Sequence, residues 1–214
     1  MKLYAYWRSS SSWRVRIALH YKRVAYETAA VDLRRDGGEQ FSAEYRAINP
    51  LEQVPALEVE EAGARRLLTQ SVAIIEYLEE RFPEPPLLPA DRFLRARARQ
   101  FAELINSGVQ PFQNLSVLKH VKHALHADEN AWARHFVERG LRALEAAAAE
   151  TAGRFLVGDS PSIADVFLVP QLHGARRFGV DLAALPTLAR VEAACAALPA
   201  FIAAEPERQP DAQP

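Results

Sequence analysis

Four consecutive hydroxyls, Ser9 to Ser12, stand between two different patterns. Before them, Lys2-Leu-Tyr-Ala-Tyr6 has the alternation and aromatic content of a short strand. After them, Val15, Ala18 and Leu19 recur at i, i+3, i+4, as on the inner face of a helix. The serines therefore fall at a strand-to-helix turn, where free backbone N–H groups and the positive end of the helix dipole gather. An anion or thiolate placed there is stabilised without a buried lysine. One serine suffices as an N-cap, which leaves three to be explained. Arg8 adjoins them and adds a fixed positive charge.

The elements that must position this turn follow in the chain. Val24 to Val31 reads as a second strand, so strand, helix and strand form a unit with parallel pairing and a right-handed crossover. Arg34 to Gly38 is a turn, and Gln40 to Ala47 a short helix with Phe41 and Tyr45 stacked at i, i+4. Asn49-Pro50 ends that helix. Pro55 opens the strand that runs to Val59, since proline cannot donate to a ladder. Its peptide bond is trans by base rate; a cis bond would leave the Val54 backbone pointing outward, free to pair with an extended peptide. Glu60 to Gly63 is a turn and Arg66 to Thr69 a short strand. Ser71 then N-caps a helix with Val72, Ile75, Leu78 and Phe82 inward and Glu79, Glu80 and Arg81 outward.

Four prolines between Pro83 and Pro89 mark a linker between two domains, 1–83 and 88–214. Beyond it strand signals stop. Residues 91 to 127 read as one long helix, or two meeting near Gly108 and Pro111. Asn130 to Thr151 is another helix. Ser162-x-x-Asp165 is a capping box opening a helix that carries Pro170, where a kink is expected. Pro186 to Leu198 and Phe201 to Ala204 complete an all-helical half, and the tail from Glu205 to Pro214 is expected to be loosely held.

Composition narrows the function. A net charge of −1 gives no global electrostatic case for nucleic acid or an anionic membrane. The opening apolar run is too short for a signal peptide and no run reaches membrane-spanning length, so a cytoplasmic protein is expected. Cys195 is the only cysteine and reads as a buried small hydrophobe, so no intramolecular disulfide forms. His120, His123 and His126 lack a carboxylate to complete a ligand set, so no metal is expected. The stripe Arg92, Arg95, Arg97 and Arg99 reads as a solvated or subunit-facing charge stripe.

The order strand-helix-strand-helix-strand-strand-helix, a proline linker and then helices, with Val54-Pro55 and Gln70-Ser71 in place, resembles the cytosolic glutathione transferases. The run from Trp7 to Leu19 is similar to the signature of their zeta class, the maleylacetoacetate and maleylpyruvate isomerases. Further stretches carry the same resemblance: Asp36 to Phe41, Asn49 to Pro55, Gln70 to Glu80, Gln110 to Leu118, Arg177 to Leu182, and Gln209-Pro-Asp211. The implied fold is an α/β thioredoxin-like N-terminal domain plus an all-α C-terminal domain. At the turn the class usually reads Ser-Ser-Cys; here Ser11 stands at the cysteine position, so the thiol must come from glutathione.

The resemblance implies glutathione as cofactor. A thiolate adds to a double bond conjugated with a carbonyl, the bond turns, and the thiolate leaves. Ser9 is implied as hydrogen-bond donor to the sulfur, with Ser10, Ser11 and the helix N-terminus beside it, lowering a thiol pKa from about 8.5. Gln40, Val54 with Pro55, Gln70 and Ser71 are implied as glutathione contacts, and Gln110, Asn114, Leu115 and Ser116 as further candidates; as plain residues these last four read equally as a polar helix surface. Arg8, Arg176 and Arg177 suit a dianionic diketo acid and its enolate, Arg8 and Arg177 as catalytic groups. For Arg176 and Arg177 the alternative is a solvated helix end that favours cations. A homodimer is implied by family. Maleylacetoacetate isomerase activity is the leading expectation. Maleylpyruvate isomerisation, conjugation of electrophiles such as α-halo acids, and a glutathione-fold binding or scaffold protein without turnover stand as alternatives.

Overall fold

The computed structural model describes residues Met1–Gln213; Pro214, with which the expected second domain ends, lies outside the described residues. Contacts divide the chain into two units. The first holds Met1–Pro86 and the chain from Pro199 onward, the second Leu87–Leu198.

In the first unit, β1 (Lys2–Ala5), β2 (Glu27–Ala30), β3 (Ala56–Glu61) and β4 (Ala64–Thr69) form a four-stranded sheet in the order β2-β1-β3-β4. β1 and β2 are parallel, as the strand-helix-strand reading requires, and the other pairs are antiparallel. The β3–β4 turn places both Ala62 (φ 52°) and Gly63 (φ 73°) in left-handed backbone. Glycine adopts this freely; alanine does so at a steric cost of about 1 kcal/mol. Ala62→Asn is therefore expected to stabilise the protein by about 0.5 kcal/mol, read as a higher urea midpoint.

The helix α1 (Ser10–Tyr21) is buried over every residue from Ser12 to Leu19. It packs against α3 (Ser71–Arg81) and α9 (Pro199–Ala203), so no stretch of it faces water there. Arg14 and Arg16, 0% and 1% exposed, are consequently interior. At its far end the buried Lys22 donates to Phe82 O (2.6 Å) and Pro85 O (3.1 Å) and pairs with Glu79 at 2.6 Å. Glu79, expected on the outer face of α3, is thus half-buried because Lys22 needs a counter-charge.

One expected helix begins elsewhere. α2 runs Ala43–Ile48, because Ser42 is its N-cap and accepts the Tyr45 N–H at 3.1 Å. Phe41 precedes it in a 3₁₀ turn and is exposed while Tyr45 is buried, so the two are not a helical pair. The tail, expected to be loose, is tied down. Gln209 is buried and donates to Ala203 O (3.1 Å) and Glu205 O (2.8 Å), and Arg16 donates to Ala204 O at 3.2 Å. Those bonds place the tail with the first unit rather than with the helical half.

The second unit is helical: α4 (Arg92–Gly108), α5 (Leu115–His123), α6 (Glu129–Ala148), α7 (Ile163–Arg177) and α8 (Pro186–Ala196). The stretch read as one helix or two is two, separated by a 3₁₀ turn at Gln110–Gln113. Asp91, Asn114 and Asp128 cap α4, α5 and α6 with side-chain oxygens. The capping box on α7 is present, and α7 continues through the buried Pro170. The core gathers Phe101, Ile105, Val137, Leu141, Leu144, Phe167, Leu168 and Leu172, with Cys195 fully buried, as expected of a small hydrophobe. Burial pushes the Cys195 thiol up. Among the described residues no helix is long and apolar enough to cross a membrane.

Candidate active site

Strand register decides which residues converge. Tyr4, Ala56 and Thr69 lie in one row across β1, β3 and β4, and Ala5 pairs with Ala30 on β2. Adjacent strands are about 4.8 Å apart. The residues just beyond that row are Tyr6–Ser9 after β1, Val54–Pro55 before β3, Gln70–Ser71 after β4 and the Asp32–Gln40 segment after β2. Four widely separated stretches thus leave the sheet at one end.

The hydroxyl turn is an ordered cap. Ser9 (φ −72°, ψ 119°) is the N-cap of α1, and its Oγ accepts the Ser12 N–H at 3.2 Å. Ser12 is buried, and its Oγ accepts the Tyr6 N–H at 3.5 Å. Two of the four serines thus have structural partners. Capping uses Ser9 as an acceptor, so its own O–H proton remains for another acceptor. Ser10 and Ser11 occupy the first helical positions, half-buried, where N–H groups have no intrahelical carbonyl. No acidic residue sits in the first turn to offset the dipole. Arg8 is exposed, its guanidinium 5.2 Å from the Trp7 ring centroid.

The Val54–Pro55 peptide is cis, against the base rate, with Pro55 buried and Val54 half-buried. Ser71 is not the N-cap of α3. Gln70 is, in left-handed backbone (φ 69°), and Ser71 is the first helical residue. That shift turns Ser71 inward, 4% exposed, where its Oγ accepts from Arg14 Nη1 at 3.4 Å. Gln40 is 4% exposed, and its carboxamide lies against Gly38, where a Cβ would meet it at 2.5 Å. Its Oε1 is a buried acceptor without a hydrogen-bond partner among the described residues. A tripeptide with amide and ammonium donors answers such an acceptor, and its carboxylates suit the N-terminal turns of α1 and α3. The residues present fit glutathione.

In the second unit, Gln110 is half-buried in its 3₁₀ turn, while Leu115 and Ser116 are exposed. Asn114 Oδ1 accepts both the Ser116 N–H and its hydroxyl at 3.1 Å, a local capping role. Arg176 donates to both carboxylate oxygens of Glu192, which raises its pKa. Its fork is paired there at the α7 terminus. Arg177 is exposed, its guanidinium 5.3 Å from the Phe178 ring centroid.

Sequence reasoning missed Arg14 and Arg16. A signal existed: Trp13-Arg-Val-Arg-Ile-Ala-Leu19 puts apolar residues on every side of a helix, so both arginines cannot face water. It also missed Asp211, whose Oδ2 accepts the Trp7 N–H at 3.0 Å.

A mixed four-stranded unit with a cis-proline and a hydroxyl turn, followed by a helical unit, defines the thioredoxin-like and helical architecture of the cytosolic glutathione transferases. Residues 3–86 match the model of the glutathione S-transferase N-terminal domain and residues 129–208 that of the C-terminal domain. A maleylacetoacetate isomerase of Pseudomonas aeruginosa is 49% identical over 99% of this chain and 98% of its own length. A maleylacetoacetate isomerase of Anaeromyxobacter dehalogenans, solved with GSH bound in the active site, is 57% identical with a TM-score of 0.91, covering 99% of this chain and 97% of that one. A holo maleyl pyruvate isomerase, a bacterial glutathione S-transferase in the zeta class, is 44% identical with a TM-score of 0.93 over 100% of both chains. The chain belongs to the glutathione S-transferase family, in the zeta-class group that includes the maleylacetoacetate isomerases.

Proposed function

We propose that the protein is a glutathione-dependent cis–trans isomerase that converts maleylacetoacetate to fumarylacetoacetate. The observation that carries the reading is the common exit of the Ser9 turn, the cis Val54–Pro55 peptide and Gln70–Ser71 from one end of the sheet. Glutathione, held by these residues, would supply a thiolate nucleophile for the conjugated double bond and would not be consumed.

The chain's own residues do the rest. Ser9 donates to the sulfur while its Oγ keeps the Ser12 N–H, and Ser10 and Ser11 add hydroxyls and free amides that favour the anion. The Val54 backbone pairs with the cysteinyl amide, beside Pro55. Gln70 and Ser71 hold the γ-glutamyl carboxylate at the start of α3, with Arg14 adding positive charge behind Ser71. Gln40 takes a donor of the tripeptide on its buried Oε1. Arg8 and Arg177 bind the substrate carboxylates and the enolate. Gln110, Asn114, Leu115 and Ser116 are candidates for the remaining contacts. The resemblance to cytosolic glutathione transferases supports a homodimer in the cytoplasm.

The test is a direct assay with maleylacetoacetate and maleylpyruvate, following free glutathione. The expected result is product formation from maleylacetoacetate with glutathione undiminished. Faster turnover of maleylpyruvate would favour the second reading, which the 44% identical zeta-class relative supports. Stoichiometric loss of glutathione would make the protein a conjugating transferase.

A further inference from the structure

The three residues between β1 and the N-cap, Tyr6-Trp7-Arg8, belong to no strand or helix, yet they set where Ser9 and Arg8 point. Their backbone is held largely by side chains from elsewhere. Tyr6 O accepts from Ser9 N (3.0 Å) and from Arg16 Nη1 (3.5 Å), and Trp7 O accepts from Arg16 Nη2 at 2.9 Å. The Trp7 N–H goes to Asp211 Oδ2 at 3.0 Å. Both backbone groups of Trp7 are therefore satisfied by side chains of opposite charge, one from α1 and one from the tail.

The tail reaches this place by a continuous set of bonds. Arg16 Nε donates to Ala204 O, Gln209 closes the next turn onto Ala203 O and Glu205 O, and Gln213 Nε2 donates to Asp32 Oδ2 at 3.5 Å. Burial pushes Arg16 down to about 10, opposed by the Asp211 and Glu207 carboxylates, so the guanidinium stays charged at neutral pH. Asp211 thus accepts a backbone N–H while its charge acts on a buried cation.

We propose that Asp211 is a positioning residue of the active-site turn: by accepting the Trp7 N–H it fixes the Tyr6–Trp7 peptide and so the direction in which Ser9 presents its hydroxyl. The proposal rests on the reading that Ser9 serves a glutathione thiolate. It assigns to the tail a part in ionising the thiol, distinct from holding the tripeptide, which falls to Gln40, Val54, Gln70 and Ser71.

The experiment compares full-length Asp211→Ala and Asp211→Asn with the parent. It reads kcat with maleylacetoacetate, the dissociation constant of glutathione, and the pKa of the bound thiol from thiolate absorbance. Asp211→Ala is expected to lower kcat about tenfold and raise the bound-thiol pKa, with glutathione affinity changed less than about twofold. Asp211→Asn keeps a carbonyl oxygen for the Trp7 N–H and is expected within about threefold of the parent in kcat, with the thiol pKa restored. Should Asp211→Ala fail to fold, Asp211→Leu keeps the bulk without the acceptor and takes its place. A merely structural tie would lower the melting temperature without moving the thiol pKa. Parental kcat and thiol pKa in Asp211→Ala, or an Asp211→Asn as impaired as Asp211→Ala, overturns the proposal. A parent that binds glutathione and lowers its thiol pKa but turns over no maleyl substrate removes the isomerase reading, and the thiol comparison still decides the role of Asp211.

Discussion

Ser9→Gly is expected to isomerise maleylacetoacetate about 100-fold more slowly than the parent and to return the bound glutathione thiol toward the free value of about 8.5. Glycine is the informative substitution because Ser9 has two roles. Its Oγ caps α1 through the Ser12 N–H, and the cap alone is worth about 1 kcal/mol when replaced by alanine but only a few tenths by glycine. Ser9→Ala therefore loses cap and hydroxyl, Ser9→Gly mainly the hydroxyl. Both are expected to lose the same activity, while only Ser9→Ala shows a clear drop in melting temperature. The check is a spectroscopic titration of bound thiolate beside kcat for each variant. If Ser9→Gly turns over at the parental rate, the donor is Ser10 or Ser11, and the same pair of substitutions made there will find it.

The second large effect concerns stability. Asp165 is fully buried, with Oδ1 accepting Leu156 N–H (2.9 Å) and Oδ2 accepting Ser162 N–H (2.8 Å) and the Ser162 hydroxyl (2.9 Å). Asp165→Ala strands three buried donors and is expected to cost at least about 3 kcal/mol by chemical unfolding. Burial pushes the Asp165 carboxyl up to about 6 from 3.8, against the pull of those donors. With the folded value above the unfolded one, the folded state takes the proton first as pH falls. The contribution of the group to stability therefore declines as pH rises from about 4 to about 6 and is level above that. Asp165→Asn does not titrate, so the stability of the parent minus that of Asp165→Asn should shrink across that window. A difference that grows with pH would mean that the three donors outweigh burial.

The sequence made the scaffold legible wherever the determinant is local. The strand before the serines, the parallel pair, the proline linker and the Ser162–Asp165 box each follow from spacing over a few residues. Of the candidate site, the sequence displays residue types, hydroxyls at one helix start and Gln70-Ser71 at another. What stayed hidden depends on distant partners. Ser71 and Gln70 exchange cap and first-turn roles because Gln70 takes left-handed backbone, which its type does not announce. The Val54–Pro55 isomer is set by surroundings rather than by the dipeptide. Arginine in a helix ordinarily reads as surface, so the apolar surround of Arg14 and Arg16 is passed over, and what buries them, α3 and α9 packed on α1, lies far along the chain. The bond from Trp7 N to Asp211 joins the two ends of the chain, beyond any window of local pattern.

The first unit is built from both ends of the polypeptide, whereas the second is one uninterrupted segment between them. During synthesis the helical segment is therefore made before Ala204 and Asp211, which accept from Arg16 Nε and the Trp7 N–H. Until they arrive, Arg16 keeps only its bonds to Tyr6 O and Trp7 O, and the Trp7 N–H lacks its carboxylate. Arrival of the chain from Pro199 onward, rather than emergence of the hydroxyl turn, is then the step that gives the turn its final shape.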